Sequence, residues 1–411
     1  MEQGLLDEPT LKRLLDLQQT RHEATAAGTA PSDLASASIV AAATANGATE
    51  VVVSEGRPVR IKVGASWQQL TDEVLSGPEV WDFVRETMGA DVLEQLAENH
   101  YVVRPWRLDG DGDGDGDGDG GSATAFRQFE GVAVRLTFAP DQVATPFELD
   151  VPQSVVDAVH GGKGLVLCVG ERGVGRSELL TALTHEASQD ESKYVVVVDD
   201  EPTQLPEAGA LVVQRRFGID PGTRADVLRS VVREDPDTMV IADVGSREAF
   251  ELALRAAEGG RLVIAYLDAQ NVVSALTRIL NFYPRYELPR VRASLAAVLR
   301  TVLVRLQLPN AGHDGSVAAT ELLRVDDAAR GVVRKGELAD LGLLLRAEGD
   351  ASGHALDRSL LDLLTSGRAR MEDVFARAEE KAWLLERTRD LDVHTPDAQT
   401  PDAQTPDREI G

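Results

Sequence analysis

The sequence predicts an α/β protein in which a parallel sheet covered on both faces follows a smaller α+β unit. Two observations carry this expectation. Beyond Gly164, short apolar runs at 165–169, 194–198, 239–242 and 262–266 alternate with helical patterns, the order that builds a parallel sheet with helices on either side. The first of these runs enters a Gly-rich turn that leads directly into a helical segment, Gly170-Glu171-Arg172-Gly173-Val174-Gly175-Arg176-Ser177-Glu178. The turn has the spacing of a phosphate-cradling loop, with Arg176 where a lysine is expected. Its glycines let backbone N–H groups close on an anion, and the following helix adds its positive end. Ser177 offers a hydroxyl to a divalent cation. An ordinary Gly-rich strand–helix turn is the alternative reading of the loop alone.

Taken in order, residues 1–24 form an amphipathic helical pattern, with Leu11, Leu14, Leu15 and Leu17 among charges, and 25–31 read as a linker. A second helix is expected from about Asp33 to the stop signal Asn46-Gly47. Residues 50–63 read as a hairpin about Ser54-Glu55-Gly56, 80–96 as a helix, and 101–108 and 132–138 as strands. Between those strands lies an Asp-Gly run over 109–121. Its twelfth position is Gly120 rather than the glutamate a calcium loop needs, so it reads as an acidic hairpin loop. Further on, 291–308 is expected as one long helix carrying Arg292, Arg300 and Arg305, and 356–381 as more helices. From Thr395 a polar, Pro-rich repeat reads as a disordered tail.

The 411 residues carry 42 basic and 68 acidic side chains, a net charge of −26, which argues against nucleic acid as a partner. The single cysteine, Cys168, allows no internal disulfide and reads as a small core residue. Neither a signal-peptide pattern nor an apolar run of about 18 residues occurs, so a cytoplasmic chain is expected.

Several segments in order resemble the family of type II/IV secretion and pilus motor ATPases, most closely its type IV pilus retraction motors: 213–218 (VQRRFG), 228–237 (LRSVVREDPD), 251–258 (ELALRAAE) and 317–322 (VAATEL), together with the loop. The resemblance spans about residues 45–380. It implies a PAS-like domain over 37–145 and a RecA-like P-loop ATPase domain over 146–390, flanked by the helix and linker over 1–36 and the tail over 391–411 that the residues themselves suggest. It also implies ATP and Mg²⁺ as cofactors, with residues 170–178 around the phosphates and Ser177 and Asp243 on the metal. A ring of six subunits, homomeric or mixed with a related ATPase, would work at a platform protein of the inner membrane.

Carried over residue by residue, the family's acidic box falls on Asp200-Glu201-Pro202, or one residue earlier at Asp199, and its general base, a glutamate, on Asp200. The Walker B glutamate falls on Asp243, the arginine after it on Gly245, and the two histidines of its histidine box on Arg261 and Asp268. Arg229 and Arg233 match family arginines. Arg233 could approach a neighbour's γ-phosphate, or both could pair with Asp226 or Glu234 on the surface. The alternative for Asp200, at the end of a strand, is a solvated turn acid. With these departures the expected activity is nucleotide binding with weak hydrolysis. The alternatives are an inactive nucleotide-binding regulator and a nucleotide-free scaffold.

Overall fold

The computed structural model describes residues 36–63, 66–106, 121–129, 131–138, 143–171, 175–200, 209–217, 223–312, 315–347 and 352–389. The expected helix over 1–24, the Asp-Gly run over 109–120 and the tail lie outside them, as do Arg172, Gly173, Val174, Glu201 and Pro202.

The chain enters through helix α1 (Ser36–Ala45), which stops where expected, at Asn46 and a left-handed Gly47 with φ 65°. The hairpin of β1 (Glu50–Ser54) and β2 (Pro58–Val63) continues into β3 (Ser66–Val74). Instead of one helix over 80–96 there are two, α2 (Gly77–Met88) and α3 (Val92–Glu98), separated at Gly89 with φ 95°. Strands β4 (Tyr101–Pro105), β5 (Gly121–Gln128) and β6 (Gly131–Phe138) complete a six-stranded sheet in the order β3-β2-β1-β6-β5-β4. All its pairings are antiparallel. Alternate residues of the central strands, Val51, Val53, Val134 and Leu136, are buried against Val80, Phe83 and Val84 of α2.

The second sheet has eight strands. After α4 (Gln153–His160) come β7 (Gly164–Gly170), α5 (Arg176–Ala187), β8 (Tyr194–Asp199), β9 (Leu211–Arg216), α6 (Arg224–Glu234), β10 (Thr238–Ile241), α7 (Arg247–Glu258) and β11 (Leu262–Asp268). Then follow α8 (Val272–Asn281), α9 (Leu288–Val298), β12 (Leu299–Pro309), β13 (Ser316–Arg324), α10 (Asp327–Lys335), α11 (Ala339–Arg346), β14 (Gly353–His354), α12 (Leu356–Thr365), α13 (Met371–Arg377) and α14 (Lys381–Thr388). The strand order is β14-β13-β12-β7-β11-β10-β8-β9. The run from β12 to β9 is parallel; β7, β8, β10 and β11 are the expected strands, β9 and β12 join them, and β13 and β14 add an antiparallel edge. Burial on both faces is direct to see in β7. Leu165, Leu167 and Val169 enter the cluster under α6–α11, whereas Val166 and Cys168 enter the one under α4 and α5. The dry surroundings push the Cys168 thiol up to about 12, so it is an inert core residue. Among the described residues no helix is long and apolar enough to cross a membrane.

The long helix expected over 291–308 is a correction. The helix ends at Val298, and Leu299 opens the eleven-residue strand β12 between β7 and β13. The run Thr301-Val302-Leu303-Val304-Arg305-Leu306, buried on both faces through Arg305, suits a central strand, with β-branched side chains that fit a pleated surface. The correction moves Arg305 from a helix surface to the interior, beside the strand that carries the Gly-rich loop.

One carboxylate of this sheet is buried at a helix end. Glu321 on β13 is 4% exposed, and its Oε2 accepts from the Val272 backbone N–H at the start of α8 (2.8 Å). Burial pushes its carboxyl up to about 7, with the nearby acids Glu379 and Asp357 adding to the rise; the Val272 N–H bond and Arg346 oppose it. A folded value above the ordinary 4.5 means that the folded state holds the proton more tightly. The stabilisation is therefore complete below about pH 4.5 and is lost as pH rises towards about 7, in total about 3 kcal/mol at 1.36 kcal/mol per unit. Glu321→Gln keeps an acceptor for Val272 and removes the titration. Urea unfolding at pH 5, 6, 7 and 8 should show the wild-type slope over this window flattened in the variant. Parallel curves would reject the assignment.

Candidate functional site

The C-terminal ends of β7, β8 and β10 bring the candidate residues to one edge of the sheet. β7 ends at Gly170, and the helix after the loop starts at Arg176. Gly175, its N-cap, is left-handed with φ 65° and offers no side-chain cap, so the first N–H groups of α5 face outward without an intrahelical acceptor. An uncapped, positive helix end is an anion site in waiting. A Cβ on Gly175 would sit 2.2 Å from Arg305 Nη1 and 2.7 Å from Gln307 Nε2, which is why this position takes glycine. Ser177 lies half-buried in the first turn, and Glu178 beside it is exposed.

Arg176, in the lysine position, turns towards the sheet: its Nη2 lies 3.5 Å from Oδ1 of Asp199, the buried last residue of β8. The same Oδ1 accepts the Asp200 backbone N–H (2.7 Å). Asp199 is thus the acid that meets the loop's cation, and Asp200 stands one residue further out. Asp243 follows β10, and its Oδ1 accepts the Gly245 N–H (2.7 Å). Asp200 and Asp243 are brought together by a residue that sequence reasoning missed. Arg224, the first residue of α6, places Nη2 2.5 Å from Asp200 Oδ2 and Nη1 3.1 Å from Asp243 Oδ2. Its guanidinium also lies over the Phe217 ring, 4.8 Å from the centroid.

The remaining sequence candidates are dispersed. Arg229 is exposed and bonded to Asp226 of its own helix (2.7 Å), which is the surface pairing left open above, and Arg233 is exposed at the far end of α6. Arg261 precedes β11 and its Nη2 bonds Asp235. Asp268 ends β11, and its backbone carbonyl accepts from Arg278 Nη1 (2.6 Å). Glu171 is held from both sides: Tyr266 Oη donates to its carbonyl (3.2 Å), and Arg377 Nη1 lies 3.1 Å from its carboxylate.

A second missed cation lies beneath the loop. Arg305 is 7% exposed, its Nε donates to the Leu149 carbonyl (3.2 Å), and its Nη1 has no partner among the described residues. Burial pulls its pKa down, partly offset by Glu178, Asp150 and Tyr266. A lone charge in an otherwise apolar run, 301–306, was the available signal. For Arg224 the signal was a cation at the first position of a helix already capped by the Thr223–Asp226 box, where the dipole disfavours it.

A family model described as "Type II/IV secretion system protein" matches residues 121–341, more than half of the chain. The chain belongs to this family. Among type II/IV secretion system proteins it is similar to the type IV pilus ATPase PilU of Pseudomonas aeruginosa, at 27% identity over 334 residues that cover 81% of this chain and 86% of PilU. The retraction ATPase PilT of the same organism is 28% identical over 263 residues, 64% of this chain and 75% of PilT. A crystal structure of the pilus retraction motor PilT with bound ADP superposes with a TM-score of 0.73 at 26% identity, covering 85% of this chain and 98% of that one. The ATPase DotB of Legionella pneumophila, at 18% identity and a TM-score of 0.67 over 81% of this chain and 92% of DotB, shares the fold. The fold class is therefore the RecA-like α/β architecture of the PilT motor, in a chain of the pilus and secretion ATPase family.

Gly175 joins the loop to this architecture, so its substitution is diagnostic. Gly175→Glu forces a side chain into the space of Arg305 and Gln307 at a positive φ and adds negative charge beside the helix end. Binding of a fluorescent ADP should fall at least about a hundredfold, near 3 kcal/mol. Retained affinity would exclude an anion site at this loop.

Proposed function

We propose that this chain is a PilT/PilU-like ring ATPase that binds Mg·ATP at residues 170–178 and couples the nucleotide state to motion, with slow hydrolysis. The uncapped start of α5 behind left-handed Gly175 carries the reading, because those N–H groups have no side-chain cap and lack an intrahelical acceptor. The donor set suits a nucleotide-bound Mg²⁺, which keeps waters and phosphate oxygens and needs only one or two protein ligands. Ser177 and Asp243 would be those ligands. When bound, the ion neutralises charge on the β- and γ-phosphate oxygens.

The chain's own residues divide the remaining work. The first turn of α5 orients the phosphates. Arg176 keeps the charge of the missing lysine, but its fork is drawn towards Asp199. Asp200 is the candidate base for the attacking water and must loosen its bond to Arg224 before it can take a proton. Its carboxylate is also one methylene shorter than the family's glutamate. Arg229 and Arg233, both exposed, are proposed to serve a neighbouring subunit. In this reading residues 37–145 form the PAS-like domain and 146–390 the ATPase domain. The ring, homomeric or mixed, acts from the cytoplasmic side on an inner-membrane platform. The Arg176–Asp199 contact equally supports a nucleotide-binding subunit with negligible turnover.

Two measurements test this. Titration with Mg·ATP should give binding, and steady-state turnover should lie well below about 1 s⁻¹, the lower end of ordinary enzymes. Arg176→Lys combined with Asp200→Glu should raise turnover at least tenfold, since both changes act on one transition state. Absence of nucleotide binding leaves only a scaffold; brisk wild-type turnover removes the slow-motor reading. For the ring, light scattering with Mg·ATP should give a mass several times 44.2 kDa. A strict monomer with and without nucleotide would reject it.

A further inference from the structure

We infer that Arg224 is an exchangeable counter-ion that holds the metal position of the nucleotide site closed until a divalent cation displaces it. This rests on the reading of residues 170–178 as a nucleotide site. Arg224 stands at the positive end of α6, and that end already has its caps: Thr223 Oγ1 accepts from the Asp226 N–H, and Asp226 accepts from the Thr223 N–H. A cation gains nothing from such a helix end. What holds it there is the pair of carboxylates that its fork joins, Asp200 beyond β8 and Asp243 beyond β10, with Phe217 under the guanidinium plane.

The geometry at Asp243 makes the contact consequential. Its Oδ1 is taken by the Gly245 N–H at 2.7 Å and its Oδ2 by Arg224 Nη1 at 3.1 Å. Both oxygens of the proposed metal ligand are thus engaged. A cation that binds Asp243, directly or through its water shell, must win Oδ2 from the guanidinium. The exchange is feasible because Arg224 is 46% exposed at its side chain, so the displaced guanidinium has water to turn into. The guanidinium thereby covers both acids in the metal-free chain and gives up Asp243 when Mg·nucleotide arrives. Arg224 is a positioning residue in this scheme. Were it instead a phosphate ligand, its loss would weaken nucleotide binding; as a competitor of the metal, its loss strengthens metal binding.

The experiment uses the full chain, ADP and Mn²⁺ as the probe. Free Mn²⁺ is followed by electron paramagnetic resonance at saturating ADP, and ADP affinity is measured separately by calorimetry in EDTA. Arg224→Gln should tighten Mn²⁺ binding by about five- to tenfold, the scale of one competing charge removed from a partly exposed site. ADP affinity in EDTA should stay within about twofold, and Arg224→Lys should fall between the two because a point charge cannot span both carboxylates. Adding Asp243→Asn to Arg224→Gln should abolish the gain. Intact ADP binding with unchanged or weaker Mn²⁺ binding in Arg224→Gln overturns the inference alone. Failure of the wild-type chain to bind ADP in EDTA or with Mn²⁺ overturns the nucleotide site and the inference with it.

Discussion

The site depends on the burial of β7. Every residue from Gly164 to Gly170 is buried, between β11 on one side and β12 on the other. A strand fixed in register on both edges and packed on both faces has one position available to it. Its last residue is fixed as well: a Cβ on Gly170 would lie 2.7 Å from Tyr266 Oη and 2.9 Å from the Arg305 carbonyl. The turn that follows is therefore launched from a rigid point, and α5 begins where the sheet edge dictates.

Around that point the fold gathers more positive charge than the loop motif announces. Arg176, Arg224 and Arg305 come from a helix start, another helix start and a central strand, and each has a different fixed partner: Asp199, the pair Asp200 and Asp243, and the Leu149 carbonyl. Low dielectric beneath the loop makes the Arg305 charge costly, whereas Arg224 at the rim is cheap to move. The buried charge suits a permanent structural role beside the loop, and the exposed one suits a role that changes with ligand.

The same edge is tied to the C-terminal helices. Glu321 on β13 satisfies the start of α8, Asn271 beside it bonds Glu379, and Asp357 accepts the backbone N–H groups of Glu379 and Glu380. Arg377 reaches back to Glu171 at the loop. Polar contacts between distant segments therefore link Glu171, the end of β11 and helices α12–α14 into one connected layer.

What the sequence determined by itself was local. The strand–loop–helix of 164–187, the hairpin of 50–63 and the parallel strands were legible because apolar period, glycine position and turn chemistry act within a few residues. The residue types at 170–178 were legible for the same reason, and Asp200 and Asp243 only through the resemblance to the motor ATPase family. Three things were decided only by tertiary structure. The segment after Val298 has an apolar content that suits helix or strand, and pairing with β7 and β13 made it a strand. Arg224 meets acids 24 and 19 residues away in the chain, and no local pattern encodes a meeting of that length. Arg176 stands in the lysine position of the loop motif, yet the burial of Asp199 at the end of β8 sets where its charge points. Periodicity reports which face of an element is dry; which opposite charges share that face depends on how the elements are stacked, and only the folded chain contains that information.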